Sequence, residues 1–292
     1  MKVMICANLA KERSRKAAAD ACAKLNEIGF LPMIEKQYEN IIKVDNAVYA
    51  ETDSLITDCD MFMTIGGDGT ILKWGQKAAA CNKLLLGINT GRLGFMTSIE
   101  SGELDTLERL KTGEYTVSRR MMLDIEYEGK GNYSAINDVV FSKCRYSKLP
   151  EFIVSVEEYE VTKIRADGII FSTPAGSTAY SLSAGGPIIS PDAQCIEFTP
   201  LCAHSLFGRP MIFSADSEIT VRFSAYEDSG VSLSIDGNDD MDFKEGEIIK
   251  IRRSEQQLSI IDINGSSFYK AVHNKLMLSL IHISEPTRHA QI

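Results

Sequence analysis

The sequence has no apolar run of the roughly 20 residues that a membrane span requires. It also has no Cys-x-x-Cys pair, and only four histidines among 292 residues. The first absence leaves no transmembrane candidate and no membrane partner. The other two leave no zinc-ligand spacing and no Ser-His-Asp order of the hydrolase kind. The seven cysteines (Cys6, Cys22, Cys59, Cys81, Cys144, Cys195, Cys202) are odd in number and scattered. That is the pattern of reduced thiols in a cytoplasmic protein, not of a disulfide framework. Basic charge is short as well. Thirty-one Lys and Arg stand against 40 Asp and Glu, a formal net charge of −9, which argues against nucleic acid as a partner. Anionic ligands would then have to be held by backbone dipoles, a few local cations and a divalent metal. The apolar start, Met1–Ala7, gives way to charge at Lys11, Glu12 and Arg13, so it reads as a first strand and not as a leader.

What is present is ordinary globular composition, 44% hydrophobic and 24% charged, with length enough for one large domain or two. The first hundred residues alternate strand and helix patterns. Val3–Leu9 is apolar, and a helical period from about residue 10 to 28 puts Ala17, Ala21, Leu25 and Ile28 on one face. A short strand at Phe30–Ile34 precedes a polar, irregular stretch to about Asp53. Asp60–Ile65 is a buried-looking strand, Thr70–Ala80 a helix, Leu84–Asn89 a strand and Gly102–Lys111 a helix. Such alternation predicts parallel pairing with right-handed crossovers. From Tyr115 the texture turns to strands: Met122–Tyr127, Tyr133–Lys143, Phe152–Val156, Glu160–Ile164, Gly168–Ser172, Ile219–Phe223, Val231–Ile235, Ile248–Arg252 and Gln257–Ile263. The predicted fold class is α/β plus all-β, a Rossmann-like α/β domain over residues 1–110 and a β-sandwich over 111–264. Residues 265–277 are expected to return to the first domain. Leu278–Arg288 reads like a translated transposase-type sequencing adapter, so 278–292 is expected to be a non-native tail outside the core.

Gly66-Gly67-Asp68-Gly69-Thr70 lies between a predicted strand and a predicted helix. Open α/β sheets bind ligands at such places, and glycines there let backbone N–H groups reach phosphate oxygens. Gly66, Gly67, Gly69 and Thr70 are therefore candidates for a phosphate-binding loop. No Gly-Lys-Ser/Thr follows, so this is not a P-loop, and the spacing is not Gly-x-Gly-x-x-Gly. A tight turn would also use these glycines. The aspartate is what favours a site, because it would repel phosphate unless it met a metal or a substrate hydroxyl. Asn137-Asp138 interrupts the strand-like run Ala135–Phe141, marking a bulge or turn. Thr178–Ser183 combines small hydroxyl side chains with Tyr180, leaving room for a flat base beside an amphipathic wall. His204 sits among apolar neighbours and reads as structural, and Trp74 as core or interface.

Taken in order, these segments resemble the NAD kinase family. Gly66–Gly69 is the mark of a superfamily that also holds diacylglycerol and sphingosine kinases and 6-phosphofructokinases. Asn89–Phe95, Asn137-Asp138, Arg165–Gly168, Ser172–Pro187, Pro200–Leu206 and Arg209-Pro210 match the NAD kinase branch. The resemblance covers nearly all of the chain to about Met277. It implies transfer of a phosphoryl group from ATP, with Mg²⁺, to the 2′-hydroxyl of NAD's adenosine ribose, with the ligands meeting between two domains. Asp68 would be the catalytic base on that hydroxyl. Asn137 and Asp138 would hold ribose hydroxyls, although many relatives carry glutamate where this chain has Asp138. Thr178, Ala179, Tyr180, Ser181, Leu182 and Ser183 would line the adenine end. Asp167 would accept from the nicotinamide carboxamide, Lys148 and Arg165 would be local cations, and Gly69 and Asn238 would complete the dinucleotide contacts. The resemblance also implies a homodimer or homotetramer in which a neighbouring subunit helps complete the NAD site. Two alternatives are a lipid kinase sharing the Gly66–Gly69 loop and a non-catalytic NAD-binding module.

Overall fold

A computed structural model describes residues 1–9, 11–91, 94–144, 148–205, 208–224, 230–238, 241–265 and 268–274. The expected non-native tail lies outside the described residues, as do Arg92 and Leu93 of the second glycine loop and Leu206. The chain divides into two units. One comprises Met1–Trp74, Leu84–Val117 and the described residues from Ile260; the other comprises Gly75–Lys83 and Ser118–Ser259.

The elements of the first unit are β1 (Lys2–Ala7), α1 (Glu12–Glu27), β2 (Leu31–Glu35), β3 (Val48–Ala50), α2 (Thr52–Asp58), β4 (Met61–Gly66), α3 (Asp68–Ala80, to Trp74), β5 (Leu84–Asn89), β6 (Ile99–Glu100) and α4 (Glu108–Thr112). The strands pair in parallel in the order β3-β2-β1-β4-β5-β6. α1 forms because Ala17, Ala18, Ala21, Cys22 and Leu25 recur at helical spacing, and all five are buried. They pack in one cluster with Val3, Ile5, Met63 and Ile65 of the sheet. Two expectations need correction. The polar stretch before Asp53 contains β3, a three-residue strand whose residues are exposed or half-buried and so carry little apolar signal. The helix expected over Gly102–Lys111 is a 3₁₀ turn at Leu104–Leu107 running into α4.

The second unit is antiparallel. Its elements are β7 (Thr116–Tyr127, from Ser118), β8 (Gly131–Ala135), β9 (Asp138–Lys143), β10 (Glu151–Val156), β11 (Tyr159–Arg165), β12 (Gly168–Ser172), α5 (Tyr180–Ser183), β13 (Cys195–Leu201), β14 (Met211–Ser214), β15 (Ile219–Ser224), β16 (Val231–Ile235), β17 (Met241–Phe243) and β18 (Ile249–Asp262, to Ser259). One layer runs β14-β13-β12-β9-β16-β17 and another β11-β10-β15-β18. A single core takes Phe141, Phe171 and Phe198 from the first layer, and Phe152, Phe223 and Ile251 from the second. Phe243 bridges them, its ring 5.4 Å from Phe141 and 5.2 Å from Phe223. This is the expected sandwich. Three of its strands (β13, β14 and β17) are additions to the sequence reading. The run Tyr133–Lys143 is two strands, and the two runs expected after Ile248 are one.

Candidate active site

In the first unit, β1 leads through α1 to β2 on one side, and β4 leads through α3 to β5 on the other. The loops leaving these strands diverge at their carboxyl ends, and the crevice so opened is where such sheets bind ligands. Here it is a cleft of about 400 Å³ whose lining includes Asn8, Lys11, Arg13, Gly66, Thr70 and Thr90. The first turns of α1 and α3 both contribute, so two positive helix-dipole ends, the cations Lys11 and Arg13 and one carboxylate, Glu12, face a crevice otherwise lined by neutral polar residues and glycines. Asn8, Lys11 and Arg13 escaped the sequence reading, because nothing in Asn8–Arg13 marks them apart from a charged helix start. A Cβ on Gly66 would fall 3.0 Å from the Cβ of Thr70, so that position is held to glycine by close approach.

Asp68 is half-buried in the first turn of α3. The N–H groups of Phe95 and Met96 donate to its two oxygens at 3.0 and 3.1 Å. The sequence left a hydroxyl or a metal as the partners that would justify this carboxylate, and the structure adds the backbone of the second glycine loop. A carboxylate offers about four acceptor directions, so lone pairs remain for a substrate hydroxyl. The same loop is braced from β5, where Asn89 exchanges hydrogen bonds with Gly91 at 3.1 Å.

In the second unit the strand run breaks between β8 and β9, as Asn137-Asp138 led us to expect. The break is held by Asp236. The N–H groups of Ile136, Asn137 and Asp138 donate to its carboxylate at 2.8, 2.7 and 3.1 Å, and Gln76 Nε2 donates to it at 3.0 Å. Asp236 and Gly237 both have left-handed φ, +51° and +69°. They form the centre of a type I′ turn closed by the Asn238 N–H on the Ile235 carbonyl at 3.0 Å. Asn238 itself is exposed. The Oδ1 of Asn137 is buried and has no hydrogen-bond partner among the described residues, an unsatisfied acceptor of the kind a bound molecule relieves.

Asp138 is 5% exposed, and its carboxyl is pushed up to about 7, first by burial, then by the charge of Asp236 and more weakly by that of Glu197. A hydrogen bond from the Tyr180 N–H works in the opposite direction. An unfolded aspartate titrates near 3.8. Between that value and about 7 the native state therefore holds more protons than the unfolded state, and stability falls as pH rises through the window. The stabilisation present at the acid end and lost by pH 8 is on the order of 4 kcal/mol. Asp138→Asn should accordingly raise the melting temperature, relative to wild type, more at pH 8 than at pH 5. Equal shifts at the two pH values would contradict this account of the carboxyl.

The Thr178–Ser183 segment faces two ways. Tyr180 is 48% exposed while Ser181 is fully buried. The Ser181 hydroxyl donates to Glu197 Oε1 at 2.5 Å, and that of Thr178 donates to the Ala175 carbonyl at 3.2 Å. Of the segment, Tyr180 and Ser183 are exposed, and Ala179 and Leu182 half-buried. The structure brings this segment to Asp138 through the Tyr180 N–H. Arg165 and Asp167 lie elsewhere, at the end of β12 remote from Ser172, roughly 15 Å along the strand. There Asp167 pairs with Lys143 at 2.7 Å, and Arg165 lies 3.8 Å from Glu151. Lys148 is exposed. His204, expected among apolar neighbours, has an exposed side chain; its backbone N–H donates to the Arg165 carbonyl at 2.8 Å. Trp74 is buried against Phe62 as expected.

Comparison with known proteins agrees with the geometry. Residues 5–115 match the model of the ATP-NAD kinase N-terminal domain, and residues 136–263 that of the ATP-NAD kinase C-terminal domain. The chain is 38% identical over 224 residues to an NAD kinase of Symbiobacterium thermophilum, covering 75% of this chain and 79% of that one. It is 32% identical over 280 residues to an NAD kinase of Geobacter sulfurreducens, covering 94% and 98%. Its fold resembles that of yeast NADH kinase complexed with NADH, with a TM-score of 0.83, 23% identity, and 100% and 90% of the two chains covered.

Proposed function

This chain belongs to the ATP-NAD kinase family and phosphorylates NAD at the expense of ATP, and we propose how its residues divide that work. The first unit binds the triphosphate in the crevice beside β1 and β4. The Gly66–Gly69 backbone, Thr70, Lys11, Arg13 and the two helix ends meet the phosphates there. Asp68 receives the 2′-hydroxyl of the adenosine ribose, orients it in line with the γ-phosphorus and takes its proton as the new P–O bond forms. An aspartate, with an ordinary pKa of about 3.9, is too weak a base to ionise a ribose hydroxyl beforehand, so proton transfer accompanies phosphoryl transfer. Asn137 and Asp138 hold ribose hydroxyls, and Tyr180 walls the adenine. We assign Arg165 and Asp167, remote from Asp138 along β12, to the NAD site of a neighbouring copy in a homodimer or homotetramer.

Among the described residues no three His, Cys, Asp or Glu side chains converge to hold a metal ion. We therefore place Mg²⁺ on the nucleotide, where it would neutralise charge on the phosphates. The observation that carries the reading is the site-bearing carboxylate Asp68 beside a crevice shaped for anions. Formation of NADP⁺ from NAD and ATP tests the activity directly. A lipid-extraction assay with labelled ATP addresses the lipid kinase alternative, which has no use for Tyr180. Tyr180→Ala should raise KM for NAD tenfold or more with little change in KM for ATP, since aromatic contact with a base contributes ~1–3 kcal/mol. An unchanged NAD KM would place the segment outside the site.

A further inference from the structure

Glu197 is a fully buried carboxylate in the middle of a strand, a costly placement unless the charge is satisfied. Strand register explains where it points. Asp138 on β9 lies opposite Ser172 on β12, and Ser172 lies opposite Glu197 on β13, so the three form one row across three strands. Their neighbours Val139, Phe171 and Phe198 point into the sandwich core, so the row faces the other side. On that side lies the chain between Thr173 and Ile189. Ser181 donates to Glu197 Oε1 at 2.5 Å, Thr199 to the same oxygen at 3.0 Å and Ser172 to Oε2 at 2.8 Å. Ser181 and Thr199 also lie 2.8 Å apart. Gly186, which closes the same loop, has room for no side chain, because a Cβ there would fall 2.9 Å from Thr199 Oγ1 and overlap both Glu197 Oε1 and Ser181 Oγ.

We propose that Glu197 is a positioning residue for NAD. Through the Ser181 hydroxyl it clamps α5, so that Tyr180 is presented outward and the Tyr180 N–H is aimed at Asp138. The inference rests on the reading that Tyr180 lines the NAD site. Charge-assisted hydrogen bonds from three hydroxyls are what make the clamp stiff. A neutral side chain would hold the same loop less firmly. Ser181, expected as a ligand contact, becomes the link between the clamp and Tyr180. Glu197 has a second, longer-range effect. The groups facing Asp138 are Asp236 from the turn after β16, Glu197 from β13 and the Tyr180 N–H from α5, and the charge of Glu197 is one of those that raise the proton affinity of Asp138.

Glu197→Gln, which keeps the shape and removes the charge, should raise KM for NAD about tenfold with kcat within about threefold of wild type. Ser181→Ala should do the same, and the double variant should be no worse than either single one. The pH dependence separates this role from simple loosening of the fold. In wild type the NAD KM should rise as Asp138 gains a proton near neutrality and loses an acceptor. In Glu197→Gln that rise should move to lower pH, whereas in Ser181→Ala, where the charge remains, it should not. Should Glu197→Gln fail to fold, Ser181→Ala still decides the clamp. NAD KM within twofold of wild type in Ser181→Ala, alongside a clear rise in Tyr180→Ala, overturns the clamp and leaves the NAD reading standing. No rise in Tyr180→Ala overturns the reading beneath it.

Discussion

Asp68→Asn should lower kcat at least a hundredfold while NAD binding, measured by calorimetry, survives. The substitution keeps the size and one acceptor oxygen but removes the charge and the proton acceptor. General-base roles carry ~10²–10⁴ in rate, which sets the lower bound. The geometry adds a second reason for a large effect. Both oxygens of Asp68 accept from the backbone of the second glycine loop, at Phe95 and Met96. An amide can reproduce only one of these bonds, because its NH₂ would meet a backbone N–H head-on. The variant therefore loses the base and loosens the loop together. NAD affinity should nevertheless persist, since the dinucleotide contacts are assigned to Asn137, Asp138 and the Tyr180 segment. ATP should bind as well or more tightly, because one negative charge leaves the neighbourhood of the γ-phosphate. Retention of more than about a tenth of wild-type kcat would remove Asp68 from the role of base, and Asp138 would be the next carboxylate to test.

Gly176→Ala should reduce kcat/KM for NAD about a hundredfold and lower the melting temperature by several degrees. A Cβ on Gly176 would overlap the carbonyl oxygen of Asn137 and fall 2.8 Å from its Cα. Backbone cannot swing aside as a long side chain can, so the Asn137-Asp138 turn must shift. That turn is tied on its far side by three N–H donors to Asp236, and moving it strains those bonds too. Overpacking of this kind costs ~1–3 kcal/mol of stability. A displacement of roughly 1 Å in a group that positions substrate costs on the order of 100-fold in rate. An active Gly176→Ala enzyme with wild-type NAD KM would mean that the turn does not hold the ribose.

Much of this molecule is legible in its sequence, because the information is local. A helical period of apolar residues in Ala17–Leu25, the alternation of strands and helices to Asn89, and the glycines around Asp68 each act over a few residues. They identified the α/β unit and its loop without reference to anything distant. The same holds for Asn137-Asp138, whose residue types are depleted from strands, and for the dipeptide Asp236-Gly237, whose residue types favour a tight turn. The strand Cys195–Leu201 was legible in principle, since Ile196, Glu197, Phe198 and Thr199 alternate apolar and polar.

The sequence by itself determined the family, the two kinds of unit, and the residue types that phosphoryl transfer to a ribose hydroxyl needs. Tertiary structure alone decided which of those residues are exposed and which are buried and already hydrogen-bonded to one another. Asp138, Ser172 and Glu197 are 34 and 25 residues apart in the chain, and only strand register sets them in one row. Ser181 is a contact residue by type and an anchor by burial, since its hydroxyl is already used. Lys11 and Arg13 are commonplace charges at a helix start until the divergence of β1 and β4 puts them around a crevice. The proton affinity of Asp138 likewise belongs to its surroundings, because burial and two carboxylates distant in the chain, Asp236 in a turn and Glu197 on a strand, raise it. The physical reason is common to all four cases. Residue type and short-range period are properties of adjacent positions, whereas burial, electrostatic neighbours and hydrogen-bond partners come from segments that meet only when the chain folds.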